Sequence, residues 1–133
     1  MKTVTATVLI IEDEPHIRQS LRQTLETAGY AVLEAENGIR GVSLYKSAPP
    51  DLVLTDIVMP DKDGLETIRE ICRVDPRATI IAMSAIEYGQ MDFLEVAKRF
   101  GAAASLRKPF DPHELLACVG WALRTRQARS IRR

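Results

Sequence analysis

Asp13, Asp56, Ser84 and Lys108 each follow an apolar run in this 133-residue chain. VLII leads into Glu12, Asp13 and Glu14; LVLT into Asp56; IIAM into Ser84; and ASLR into Lys108, Pro109 and Phe110. Carboxylates gathered at one place invite a hard divalent cation such as Mg²⁺, which prefers oxygen ligands and keeps waters and phosphate in its shell. A lysine is a compact point charge that reaches a phosphate or offsets a carboxylate. A serine hydroxyl at a strand end donates to a phosphoryl oxygen, or merely caps the next turn. Each group also has a plain reading. An acidic triplet suits a strand end entering a helix, where acids complement the dipole, and a lone exposed lysine is normally just solvated. Shared position is what gives the set meaning. In an open parallel α/β sheet the strands' carboxyl ends lie along one edge, and ligands bind in the crevice outside it.

The elements that must position these groups follow from periodicity and punctuation. Residues 7–11 read as a buried strand, continuously apolar and rich in β-branched side chains. Pro15 suits a first helical turn, with Ile17, Leu21 and Leu25 at helical spacing until Gly29. A short strand over 30–35 is followed by Asn37-Gly38, which turns the chain into a helix through Val42, Leu44 and Tyr45 that stops at Pro49-Pro50. Residues 51–56 form the third strand and 59–64 a loop of turn residues. The next helix runs from Leu65 to about Val74, with Leu65, Ile68, Ile71 and Cys72 on its apolar face. Strand four covers 79–84. A helix over 90–100 points Phe93, Leu94, Ala97 and Phe100 inward and ends at Gly101. Strand five covers 103–106, and Asp111-Pro112 starts a last helix through Leu115, Leu116, Val119 and Leu123. Such alternation implies one doubly wound α/β domain, a parallel sheet with right-handed crossovers and helices on both faces.

Composition sets limits. Hydrophobic content of 46% and charged content of 27% are ordinary for a globular domain. No apolar stretch approaches the roughly 20 residues of a membrane span, and the N-terminal residues lack a signal-peptide pattern. A cytoplasmic protein with no membrane partner is expected, with Cys72 and Cys118 as reduced, buried small hydrophobes. Basic and acidic residues balance at 18 each, but residues 124–133 hold five Arg and no acid, leaving 13 against 18 in residues 1–123. An acidic body argues against nucleic-acid binding by the domain itself. We therefore read residues 1–126 as the domain and 127–133 as a basic, solvated tail. His16 and His113 both follow prolines in first helical turns and read as surface residues.

The stretches VLIIEDEP, DLVLTDIVMPDKDGLE, IIAMSA and GAAASLRKPF, in this order and at these spacings, resemble the receiver domain of two-component response regulators over about residues 7–124. The resemblance implies a flavodoxin-like, five-stranded parallel sheet of strand order 2-1-3-4-5. It implies that Asp56 takes a phosphoryl group from a phosphohistidine on a sensor histidine kinase or phosphotransfer protein. Asp13 and Asp56 would ligate Mg²⁺ directly, the backbone carbonyl of Val58 would add a ligand, and Glu12 would act through water. Ser84 matches the hydroxyl that swings toward the phosphate and Lys108 the lysine that pairs with it. The output would be a conformational change felt by a downstream protein target. Such a module is not an enzyme beyond assisting its own phosphotransfer and dephosphorylation.

Some positions depart from the family. Glu12 stands where aspartate is commoner. Ser105 replaces the aromatic residue often coupled to the hydroxyl, leaving backbone rearrangement over 84–90 and the helix near 90–100 as the expected route of output. Val58 and Ile86 are apolar where side chains flanking the phosphoryl group tune its hydrolysis, so slow decay is expected. Residues 101–107 lack the acids that some transcriptional receivers use for a shared dimer surface. The chain reads as a stand-alone receiver; the alternatives are a receiver excised from a longer DNA-binding regulator or hybrid kinase, or a phosphorylation-independent binding module. A Mg²⁺-dependent aspartyl phosphatase would need a second acid two residues after its nucleophile, where Val58 cannot transfer a proton. Neither GxGxxG nor GxxxxGK[ST] occurs, which disfavours nucleotide binding.

Overall fold

A computed structural model of the chain describes residues 5–59, 63–85 and 93–131. The strands are β1 (Thr7–Ile11), β2 (Ala31–Ala35), β3 (Leu52–Asp56), β4 (Ile80–Ala85) and β5 (Ala104–Lys108). Between and after them lie α1 (Pro15–Thr27), α2 (Gly38–Ser47), α3 (Gly64–Val74), α4 (Phe93–Phe100) and α5 (Pro112–Ile131). All neighbouring strands pair in parallel, in the order β2-β1-β3-β4-β5. The predicted fold class and strand order are both borne out.

The continuous apolar runs follow from burial on both faces. Side chains alternate along a strand, so Leu9, Ile11 and Val53 face one layer while Val8, Ile10, Leu52 and Leu54 face the other. The first layer is closed by Val42 and Tyr45 of α2, Ile68 and Ile71 of α3, and Ala97 of α4. The second is closed by Leu21 and Leu25 of α1 and by Leu115, Val119 and Ala122 of α5. A strand covered on both sides has no polar face to show, which is why the two-residue alternation of an exposed sheet is missing from β1 and β3.

Helix starts are fixed by side-chain caps. Glu14 accepts from the backbone N–H groups of His16 and Ile17, Asn37 from Arg40, and Asp63 from Glu66. At α5 the Asp111 carboxylate accepts from Glu114 N–H at 2.8 Å, and Glu114 reaches back to Asp111 N–H at 3.4 Å. Two tethers lie at the strands' amino-terminal edge. Asp51 accepts from Thr7 N–H at 2.7 Å and from Arg126 of α5 at 3.0 Å, and Tyr45 donates to Asp75 at 2.8 Å.

Some expectations need correction. Phe100, expected inward, is 38% exposed. It is the last residue of α4, and Gly101 at φ 125° turns the chain away immediately after it. Ile17 is likewise exposed at the start of α1, whereas Leu21 and Leu25 are buried. The last helix continues past Leu123 to Ile131. Residues 90–92 and 60–62, and the side chains of Phe93 and Leu94, lie outside the described residues. Among the described residues no helix is long and apolar enough to cross a membrane.

One core position carries an unmatched polar group. The Thr79 hydroxyl is buried without a hydrogen-bond partner among the described residues. Thr79→Val removes that desolvated group at constant shape and should raise stability by about 1 kcal/mol. A lower urea midpoint for the variant would contradict this reading.

Candidate functional site

The sheet brings the strand ends together as the sequence implied. β1 and β3 pair so that Ile11 lies opposite Thr55, one residue short of Glu12 and Asp56. On the other side Asp56 pairs with Met83, next to Ser84, and β4 pairs with β5 through Ala85 and Lys108. Carboxylate oxygens of Glu12, Asp13 and Asp56 all lie within 4.8 Å of one another. Lys108 enters from β5. Its Nζ donates to Glu12 Oε1 at 2.7 Å and stands 3.5 Å from Asp56 Oδ2. The Lys108–Pro109 peptide that follows is cis.

Burial differs sharply within the cluster. Glu12 is 1% exposed and Asp56 is also buried, whereas Asp13 is open to solvent. Glu12 therefore does more than its expected role through water suggests, since it forms a buried ion pair with Lys108. Burial pushes the Glu12 carboxyl up to about 7; the Lys108 hydrogen bond opposes this and the Asp56 charge adds to it. Burial also raises Asp56 against the pull of Lys108. Burial alone would lower Lys108, but its hydrogen bond to Glu12 and the Asp56 charge outweigh it and hold the ammonium above its usual range. Glu12 and Asp56 thus share one ammonium, with the Asp13 carboxylate beside them. The set has hard oxygen donors and too little positive charge, which suits a hard divalent cation.

Ser84 is buried at the end of β4, and its hydroxyl donates to the Ala85 carbonyl at 3.1 Å. Val58 lies just past β3 with its side chain 46% exposed. Ile86 lies outside the described residues.

Two more residues shape the site: Arg18, which the sequence did not single out, and Gly64, which it marked only as a backbone device for a tight turn. Arg18 of α1 donates to the backbone carbonyl of Glu12 at 2.8 Å. A basic residue one turn into a helix carries no signal by itself, because its target is a main-chain atom. Gly64, at the start of α3, lies against the end of β3. Its N–H donates to Ile57 O at 2.6 Å, and an added Cβ would stand 2.1 Å from the Asp56 carbonyl oxygen. The D-x-D-G spacing before α3 was the available clue, and it reads only as a turn.

Residues 8–120 match the family described as the response regulator receiver domain. The chain is 40% identical over 113 residues to chemotaxis protein CheY of Thermotoga maritima, spanning 84% of this chain and 92% of that protein. It is 33% identical over 112 residues to sporulation initiation phosphotransferase F of Bacillus subtilis, again with 84% and 92% covered. Among solved structures, a response regulator receiver domain protein from Clostridium thermocellum superposes with a TM-score of 0.85 at 30% identity, covering 92% of this chain and 98% of that one. With the sheet order and the clustered strand-end acids, these likenesses place the chain in the response regulator receiver domain family.

Proposed function

We propose that Asp56 accepts a phosphoryl group from a phosphohistidine on a sensor histidine kinase or phosphotransfer protein, and that the modified domain signals to a downstream protein. The observation that carries this reading is the Lys108 ammonium lying against both Glu12 and Asp56 among three clustered carboxylates. Mg²⁺ would be held by Asp13, Asp56 and the Val58 carbonyl, with Glu12 acting through water. When bound, it supplies positive charge for the transferred oxygens.

In the transfer an Asp56 carboxylate oxygen forms the bond to phosphorus. The phosphorus–nitrogen bond of the donor breaks, and its electron pair returns to the imidazole. Lys108 exchanges part of its interaction with Glu12 for a phosphoryl oxygen. The Ser84 hydroxyl leaves the Ala85 carbonyl to donate to another. The new group carries more negative charge and more acceptor oxygens than the carboxylate it replaces, so these donors have reason to move. The backbone expected to answer that movement, residues 86–90, lies outside the described residues. An apolar groove of about 510 Å³ opens beside Lys108, between Ile17 and Leu21 of α1 and Pro109, Phe110 and Leu115. A helical partner presenting a phosphohistidine fits such a groove.

The test is incubation with a small phosphodonor and Mg²⁺, followed by intact mass. Wild type should gain one phosphoryl group and Asp56→Asn none. An unmodified wild type, or equal modification of the variant, would defeat the proposal. The exposed Val58 side chain offers an attacking water no hydrogen bond. Val58→Asn should therefore speed loss of the phosphoryl group several-fold, and an unchanged decay rate would show that this position does not govern hydrolysis.

A further inference from the structure

The acidic residues of the site sit on a loop that α1 itself holds in place. Glu12 N–H donates to Ala35 O at 3.1 Å, which ties the loop's first residue to β2. The next peptide, joining Glu12 to Asp13, has its carbonyl bound by Arg18 at 2.8 Å. Arg18 is in turn gripped by Glu34 of β2, its Nε donating to Glu34 Oε1 at 3.2 Å. Glu34 also pairs with Arg22 one turn further along α1. Arg18 and Glu34 are both largely shielded, whereas Arg22 is more open. A guanidinium with one arm on a carboxylate and another on a carbonyl has little freedom left, because its donors form a fixed planar fork.

We infer that Arg18 is a positioning residue for the metal-binding acids: by fixing the Glu12–Asp13 peptide it sets where the Asp13 carboxylate stands relative to Glu12 and Asp56. This inference rests on the proposed reading of the acidic cluster as a Mg²⁺ site. The carbonyl that Arg18 holds belongs to the one peptide whose rotation swings Asp13 while leaving Glu12 in its ion pair with Lys108. Asp13 is the exposed member of the trio, so burial does little to fix its side chain. Partners that orient ligands in this way commonly alter metal affinity by about 10–100-fold when removed.

Charge and position predict opposite signs here, which makes the inference testable. As a nearby cation, Arg18 repels Mg²⁺, so its removal would tighten binding if charge were its only contribution. As a positioning residue, its removal weakens binding. The experiment is calorimetric titration of the full chain with Mg²⁺ for wild type, Arg18→Ala, Arg18→Lys and Glu34→Gln, with melting temperatures measured in chelator. Phosphorylation by a small phosphodonor is then followed across Mg²⁺ concentrations.

Arg18→Ala should weaken Mg²⁺ binding about tenfold, and raise the Mg²⁺ needed for half-maximal phosphorylation by the same factor. The rate at saturating Mg²⁺ should fall much less. Arg18→Lys, able to keep one of the two contacts, should lie between the variant and wild type, and Glu34→Gln should resemble it. Unchanged or tighter Mg²⁺ binding by Arg18→Ala would overturn the inference, as would a lowered melting temperature with unaltered affinity. Should Arg18→Ala fail to fold, Glu34→Gln decides, and wild-type affinity there would overturn the inference. Wild type that binds no Mg²⁺ would remove the proposed function and this inference together, whereas wild type that binds beside an unaffected Arg18→Ala removes this inference alone.

Discussion

Lys108→Ala should slow phosphorylation of Asp56 by roughly 100-fold or more at saturating Mg²⁺, the size of loss seen when a fixed donor to developing charge is removed. The ammonium stands 3.5 Å from Asp56 and 2.7 Å from Glu12. It is therefore the one strand-end cation placed to meet a transferred oxygen among the described side chains of the cluster. The substitution also leaves Glu12 buried without its partner. Glu12 already has its pKa raised from 4.5 to about 7 in the folded protein, so folding favours its protonated form. The contribution of Glu12 to stability therefore falls as pH rises through that interval and levels off above it. Removing Lys108 takes away the main influence holding the Glu12 value down, and extends the fall to higher pH.

The variant should then be less stable than wild type by roughly 2 kcal/mol near about pH 8 and by much less near about pH 5, where Glu12 takes up a proton. Denaturant unfolding in chelator at the two pH values checks this. A stability difference that is the same at both would mean that Glu12 does not rely on Lys108.

Gly64→Ala should be the most damaging change that alters no charge. The new methyl group would stand 2.1 Å from the Asp56 carbonyl oxygen and 2.5 Å from Ile57 Cα, and both of those atoms are backbone. Neither can rotate aside as a side chain would, so α3 must draw back from the end of β3. Overpacking of this kind costs about 3 kcal/mol. Because Asp56 is the residue being pushed, phosphorylation should slow together with the loss of stability. Melting temperature and phosphodonor kinetics measured on one preparation check both effects. A variant matching wild type in both would show that α3 has room to shift.

The strands and the four strand-end groups were readable because burial on both sheet faces writes unbroken apolar runs. The polar residue ending such a run marks the edge where it lands. The helix spacing that buries Leu21, Leu25, Ile68 and Ile71 was equally plain. What escaped depends on main-chain geometry. Arg18 acts on a carbonyl and leaves no pattern in residue types, whereas Gly64 was legible as a turn glycine but not as the close contact of α3 with the end of β3. Phe100 has the spacing of a core residue, but its place at the end of α4 leaves it exposed. Glu12 showed its charge but not its depth. The difference between a solvated acid and one that is 1% exposed comes from the lysine arriving 96 residues later.

β3 occupies the middle of the sheet, and every one of its residues is buried. Asp56 thus ends a fully buried strand that is paired with β1 on one side and β4 on the other. Under the proposed function, charge added at Asp56 would act sideways, through the hydroxyl of β4 and the ammonium of β5, toward the outer margin of the sheet.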